Sequence, residues 1–280
     1  MIKPVVQDEA FVADVARTRK ERSGPARLWW LGQSGFLLQC KGRHLLFDPY
    51  LSDSLTQKYA GTGKPHVRMT ERVVAPERLD FVDVVTSTHN HTDHLDADTL
   101  LPLLAAARQE VAIVVAAANR EIAAQRLGLE ARDLVGIDAG QSIQVRGFDI
   151  TAVSAAHDKH EVDEGGRHRY IGFIVRTGMC TVYHSGDTVV FDGMAQMLRL
   201  HEIDVALLPI NGKVGNMKGV DAARLGKEAG AKLVVPCHYE MFEFNTASPE
   251  SFVRECRRLG QGCRVLRAGE SLTLGCEASP

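Results

Sequence analysis

The chain has 280 residues, 45% hydrophobic and 24% charged, a globular balance that excludes wholesale disorder. Its 33 basic and 35 acidic side chains leave a net charge of −2, which argues against a general nucleic-acid binder or a polybasic membrane protein. No apolar run approaches the roughly 18 residues a membrane span needs, and Met1 to Arg22 lack the apolar stretch of a secretory signal.

The first predicted element is an amphipathic helix over Asp8 to Arg22, with Phe11, Val12 and Val15 on one side and a basic end at Arg17, Arg19, Lys20 and Arg22. Ser23-Gly24-Pro25 stops it, so residues 1–24 are expected to dock as a helix on a body formed by 25–280. Leu28–Leu31, Phe36–Cys40 and Leu45–Phe47, separated by Gly32-Gln33-Ser34-Gly35 and Lys41-Gly42, predict an antiparallel meander. Residues 52–78 hold Gly61, Gly63, Pro65 and Pro76 among Lys58, Lys64, Arg68 and Arg72, a long loop expected to form a substrate-side flap. Val111–Val115 precedes a helix from about Asn119 to Leu127 that Gly128 stops. Ile143 to Ala152 reads as a hairpin about Gly147, and Tyr170–Val175 with Thr181–Tyr183 as another about Thr177-Gly178. Val205–Leu208 precedes a helix from about Asp221 to Ala229 that ends at Gly230 and leads into Leu233–Val235. Meanders mixed with surface helices predict an α/β (α+β) domain, two mixed sheets with helices outside. The six cysteines, Cys40, Cys180, Cys237, Cys256, Cys263 and Cys276, form no C-x-x-C pair, so buried thiols in a reducing cytoplasm are expected.

The chemistry concentrates in Thr88-His89-Asn90-His91-Thr92-Asp93-His94, three imidazoles and a carboxylate within six residues at a strand-to-helix turn. Alternate residues of an extended stretch share a face, so His89 and His91 point one way while Asp93 and His94 reach a second position close by. These borderline-to-hard ligands suit Zn, Mn or Fe. Further candidates close other apolar runs: Asp48 after Leu45-Leu46-Phe47, His157 after Ala152 to Ala156, Asp187 after Val182 to Gly186, and His238 after Val234 to Cys237. In His157-Asp158-Lys159-His160, His157 is preferred because it lies nearer the strand end. Rival motifs fail. Gly61-Thr62-Gly63-Lys64-Pro65 lacks the spacing and hydroxyl residue of a Walker A loop, and Gly32 to Phe36 lacks the last glycine of a nucleophile elbow, which leaves Ser34 as a turn residue.

From about Trp29 to Tyr239 the chain resembles the metallo-β-lactamase superfamily, whose hallmark is this H-x-H-x-D-H signature followed by a downstream His, a Gly-Asp at a strand end and a late His. The resemblance implies an αββα sandwich, the metallo-β-lactamase fold. It also implies two divalent ions, with His89, His91 and His157 on one, Asp93, His94 and His238 on the other, and Asp187 bridging. Trp30 to Phe36, Asp48 to Asp53, His184 to Thr188 and Pro236 to Tyr239 are similar to the L-ascorbate-6-phosphate lactonase-like branch. The expected activity is metal-dependent hydrolysis of an ester-type bond by a metal-bridging hydroxide, on a lactone or phosphorylated sugar-acid lactone. A phosphodiesterase, including a nuclease type, is the enzymatic alternative, and a non-catalytic metal-binding protein a third reading. Asp93 and Asp187 would be the catalytic carboxylates, Asp48 would hold the histidine loop, and Asn211 and Tyr239 would hydrogen-bond substrate at the rim. Lys64, Arg68 and Lys213 are candidate partners for a phosphate or carboxylate. The expected partner is a small, anionic molecule, with neither membrane nor nucleic acid involved and homo-oligomerisation left open.

Overall fold

The computed structural model describes residues 1–19 and 24–274. Helix α1 (Asp8–Arg19) leads into a sheet of β1 (Ala26–Gly32), β2 (Gly35–Cys40), β3 (Arg43–Phe47), β4 (Val84–Ser87), β5 (Ala112–Ala116) and β6 (Val135–Ile137), side by side in that order. A second sheet is built of β7 (Ser142–Val145), β8 (Phe148–Ser154), β9 (Ile171–Arg176), β10 (Thr181–His184), β11 (Val205–Pro209), β12 (Leu233–Cys237) and β13 (Gly262–Cys263). The last strand, β14 (Ser271–Leu274), returns to the first sheet and pairs antiparallel with β1. Both sheets therefore follow one plan. Antiparallel pairings come first, β14-β1-β2-β3 and β7-β8-β9-β10, and parallel ones follow, β3-β4-β5-β6 and β10-β11-β12-β13.

Local chemistry explains the switch. Lys41-Gly42 and Arg146-Gly147 each place two successive residues at positive φ, the turn whose twist matches antiparallel neighbours. Parallel neighbours need crossovers instead. After α2 (Ser54–Lys58), which lies in the flap region, these are α3 (Ala97–Ala106), α4 (Arg120–Leu127), α5 (Met194–Arg199), α6 (Gly219–Ala229) and α7 (Glu250–Leu259). Gly128 and Gly230 close α4 and α6 in the left-handed conformation as expected, and Gly260 does the same for α7, a helix the sequence reading did not foresee. Asp96 sits at the N-cap of α3, but its carboxylate accepts hydroxyls from Ser52, Ser54 and Thr99 rather than capping a backbone amide.

Strand alternation divides the apolar residues between two cores. Leu28, Trp30, Phe36 and Leu38 join Phe148, Ile150 and Phe173 between the sheets. Trp29, Leu31 and Leu37 face the other way, under Phe11 and Val15 of α1, Leu100 and Leu103 of α3, and Ala123 and Leu127 of α4. Trp29 also donates from Nε1 to Asp14 at 2.9 Å, which ties α1 to the sheet. Residues 20–23 of the expected basic end, including Lys20 and Arg22, lie outside the described residues, as does Cys276. Cys40, Cys180, Cys237 and Cys256 are buried free thiols and Cys263 is half-buried. Among the described residues no helix is long and apolar enough to cross a membrane.

Asp83 anchors the entry to β4. Its carboxylate accepts from the His44 amide at 2.8 Å, Arg43 Nη1 at 2.7 Å and Gln109 Nε2 at 2.6 Å. Burial alone would raise its pKa, but these donors hold it down at about 2. A carboxylate depressed in the folded state contributes stability above its ordinary pKa and loses it as pH falls through the folded value. Asp83→Asn is expected to cost roughly 1–2 kcal/mol at neutral pH and to flatten the acid limb of the stability curve between about pH 4 and pH 2. Urea melts across that range provide the check, and an unchanged acid limb would refute the assignment.

Candidate metal centre

The signature occupies the loop between β4 and α3, where the amides of His94 and Leu95 both turn back to the His91 carbonyl. The turn brings His89 within 4.5 Å of His91 and 4.1 Å of His94, measured between ring centroids. The second sheet supplies the other groups from the ends of its strands. Asp187 follows β10, and its Oδ1 lies 3.2 Å from His94 Nε2 and 3.4 Å from His238 Nε2. His238 follows β12 at φ 62, and its Nε2 lies 3.6 Å from Asp93 Oδ2. His157 follows β8 with its ring 4.8 Å from His91 and 5.9 Å from His89. His160 is exposed and packs its ring edge on Phe191 instead.

Two glycines permit this convergence. Gly186 (φ +60) passes so close to Thr88 that a Cβ there would lie 2.6 Å from its hydroxyl oxygen. Gly215 (φ +77) abuts the His157 ring, where a Cβ would lie 2.4 Å from Cγ.

Surrounding groups fix the orientation of the imidazoles. Asp48 is fully buried, accepts the Thr88 amide at 3.1 Å and the Thr88 hydroxyl, and lies 2.7 Å from His94 Nδ1. That contact places the proton on Nδ1 and turns Nε2 toward the centre. Gln33, buried in the β1–β2 turn at φ 50, was read from the sequence only as part of a turn. Its Nε2 donates to Asp93 Oδ2 at 2.7 Å, and its carbonyl accepts the His238 amide at 3.0 Å and Trp30 Nε1 at 3.0 Å. One residue thus links both sheets to the histidine loop. Tyr170 stacks on His157 at 4.9 Å, an unforeseen support for that ring.

Four buried atoms, His89 Nε2, His94 Nε2, His157 Nε2 and Asp187 Oδ1, have no hydrogen-bond partner. Donor atoms cluster within 4.8 Å of one another in His89–His91–Asp187, in Asp93–His94–His238, and in Asp48–His89–His94. Such orphans would cost free energy in a purely structural cluster, whereas a nitrogen and oxygen donor set of this composition fits a divalent cation. The electrostatics agree. Burial would depress the pKa of His94 and His238, but Asp187 and Asp93 overrule it, raising His94 well above the ordinary value and His238 to about 9. His89 and His91 shift down, because burial dominates there. Burial would raise Asp187 and Asp93, and the neighbouring histidines push both below the usual carboxylate range. The same two carboxylates therefore favour positive charge at His94 and His238, where a cation would also be favoured.

A cavity of about 640 Å³ opens above these groups, its walls including His91, Asp93, Asp187 and His238. Two expected substrate contacts are corrected. Tyr239 is buried away from the cavity, stacked on Trp30 at 4.4 Å with its hydroxyl donating to the Leu266 carbonyl. Asn211 lies behind the wall and donates to Asn245 Oδ1 at 2.7 Å, so Asn245 is the residue that faces the cavity. The 52–78 loop is ordered by α2 and contributes Leu55, Lys58, Tyr59, Lys64 and His66 to the wall. Arg68 is not available there: it is bound to Asp53 and the Ser52 carbonyl. Lys213 is directed to the Phe244 carbonyl at 2.9 Å.

An αββα sandwich with histidines and carboxylates from both sheets meeting at one rim defines a class of metal-binding hydrolase folds. Residues 27–238 match the family model described as a beta-lactamase superfamily domain. A UPF0173 metal-dependent hydrolase of Rubrobacter xylanophilus is 34% identical over 90% of this chain and 98% of its own length, and one of Methanopyrus kandleri is 32% identical over 88% and 98%. Among solved structures, a metallo hydrolase of Ignicoccus hospitalis is 25% identical with a TM-score of 0.65, covering 89% of this chain and 97% of that one. The chain belongs to the metallo-β-lactamase superfamily, within the UPF0173 family of metal-dependent hydrolases.

Proposed function

We propose that the chain hydrolyses an ester-type bond in a small molecule at a dinuclear centre. His89, His91 and His157 would hold one ion, Asp93, His94 and His238 the other, and Asp187 both. The observation that carries this reading is Asp187: its Oδ1 is buried, without a hydrogen bond and close to His94 and His238, and one of its carboxylate oxygens groups with His89 and His91. Asp48 also groups with His89 and His94, but its contacts with Thr88 and His94 Nδ1 favour a supporting role. Zn or Mn fits such donors, with Fe a further option; divalent ions there would supply Lewis acidity and bring the pKa of a water down to about 7.

The chain's own groups do the rest. Gln33 holds Asp93 so that its carboxylate can orient the attacking water, and Asn245 offers an amide to the substrate from the cavity wall. The cavity volume falls in the range of small-ligand sites, which favours a lactone or sugar-acid lactone over a polymer.

The test is metal reconstitution followed by turnover assays on lactones, phosphodiesters, phosphomonoesters and β-lactams. Close to two ions per chain and preferential lactone cleavage are expected. Preferential phosphodiester cleavage would transfer the site to the alternative activity, and a metal-loaded protein inert on every class would leave metal binding without catalysis. His157→Ala is expected to lose about one ion and far more activity than His160→Ala; the reverse order would exchange their roles.

A further inference from the structure

The charges around the cavity are unevenly distributed. Among the described residues the carboxylates lining it are Asp93 and Asp187, which sit among the candidate ligands, while Lys58, Lys64 and Arg126 stand in its wall. Elsewhere Arg43, Arg68, Arg108 and Arg224 each meet an Asp or Glu. Among the described residues Lys58, Lys64 and Arg126 form no such ion pair.

Two of these cations contact the histidine turn. Arg126, half-buried on α4, donates from Nη1 to the carbonyls of Asn90 at 2.7 Å and Leu95 at 2.9 Å, which pins the guanidinium while Nη2 and Nε make no hydrogen bond. Burial lowers its pKa, and the charge of Asp96 offsets that only in part. Lys58 Nζ lies 3.4 Å from Thr92 Oγ1, two residues along the same turn. Beside the polar Asn90, Thr92 and Asn245, the wall carries an apolar stretch of Leu55, Tyr59, Val214, Phe242 and Phe244. His66 stacks on Tyr59 at 4.3 Å and meets Phe242 and Phe244 edge-on at 4.9 and 4.5 Å, so this side is rigid and aromatic.

We infer that the substrate is amphiphilic, with a carboxylate or phosphate beyond the scissile bond held by Arg126 and Lys58 and an apolar portion against Tyr59 and Phe244. The inference rests on the hydrolytic reading above and adds the handle by which substrate is chosen. A fork of N–H donors fixed at one nitrogen is preorganised for an oxyanion, and among the described residues no carboxylate pairs with it directly. Anchoring one end at these cations and the other on the aromatic wall would set the reacting bond over the donor cluster.

The experiment uses the metal-reconstituted protein and three para-nitrophenyl esters alike in length: a half-ester ending in carboxylate, its methyl-capped neutral counterpart and a phosphate-terminated one. Binding of the unreactive amide analogues of all three is measured in parallel by calorimetry. An anionic-to-neutral ratio of kcat/KM of tenfold or more is expected, falling about tenfold in Arg126→Gln and in Lys58→Gln, chiefly through KM; the two anionic arms tell carboxylate from phosphate. Lys58→Gln, at an exposed position, serves if Arg126→Gln fails to fold. Equal handling of charged and neutral compounds, or a ratio insensitive to both substitutions, would overturn the inference. If no ester turns over but the anionic amides bind with the same dependence on Arg126 and Lys58, the hydrolytic reading fails and the anion site stands. If amide binding ignores charge, the anion site fails whatever the ester assays show.

Discussion

Asp187→Ala is expected to reduce hydrolysis by more than the about 10–100-fold that loss of a hydrogen-bonded supporter of a metal ligand costs. The reason is its position. One carboxylate lies close to His94 and His238 and shares a donor group with His89 and His91, so one truncation weakens both halves of the cluster. His91→Ala should act on one half only. Elemental analysis separates the two: Asp187→Ala should retain little metal, whereas His91→Ala should retain close to one ion. Added Zn or Mn should raise the melting temperature of the unsubstituted chain, since a ligand at 100 times its Kd stabilises by about 2.7 kcal/mol. Asp187→Ala should show little of that shift. A variant that binds metal and turns over substrate normally would remove Asp187 from the centre.

Gly215→Ala should be nearly as damaging, although residue 215 is no candidate ligand. The backbone at φ +77 disfavours any side chain by roughly 1–2 kcal/mol. A methyl group would in addition meet the His157 ring at 2.4 Å from Cγ, closer than atoms can approach. The imidazole cannot retreat freely, because Tyr170 stacks on it at 4.9 Å. The expected result is a folded protein that has lost about one ion per chain, with activity reduced at least as far as in His157→Ala. Circular dichroism with metal analysis checks it; full activity with two ions would show that the loop yields and that His157 keeps its place.

Much of the architecture was legible where the signal is local. Gly128 and Gly230 stop helices because a left-handed residue closes them, and Lys41-Gly42 and Arg146-Gly147 turn strands for a similar reason. The side chains at four strand ends, Asp48 after β3 of the first sheet and His157, Asp187 and His238 after β8, β10 and β12 of the second, could be gathered because strands running the same way end on a common edge and the motif at His89 to His94 pointed to that edge. What escaped depends on partners remote in sequence. Helix α7 buries Phe252, Glu255 and Cys256 and packs Val253 and Leu259 against the core; its apolar spacing was present in the sequence but lies among five charged residues. Tyr239 follows His238 and was read as facing substrate, yet Trp30, from the other sheet, claims its ring. Gln33 carries no metal-ligand signature; only folding brings its amide to Asp93. Phe242 and Phe244 likewise acquire meaning through His66, which the flap delivers to them.

The return of β14 to the edge of β1 has a consequence for biogenesis. On a ribosome, β1 to β6 emerge well before the residues that flank β1 on its open side, so the nascent first sheet waits with an unpaired margin while the second sheet is still being translated. A stalled or truncated product lacking residues 271–274 would keep that margin exposed, and such chains should be the ones that chaperones retain and that aggregate when chaperones are scarce.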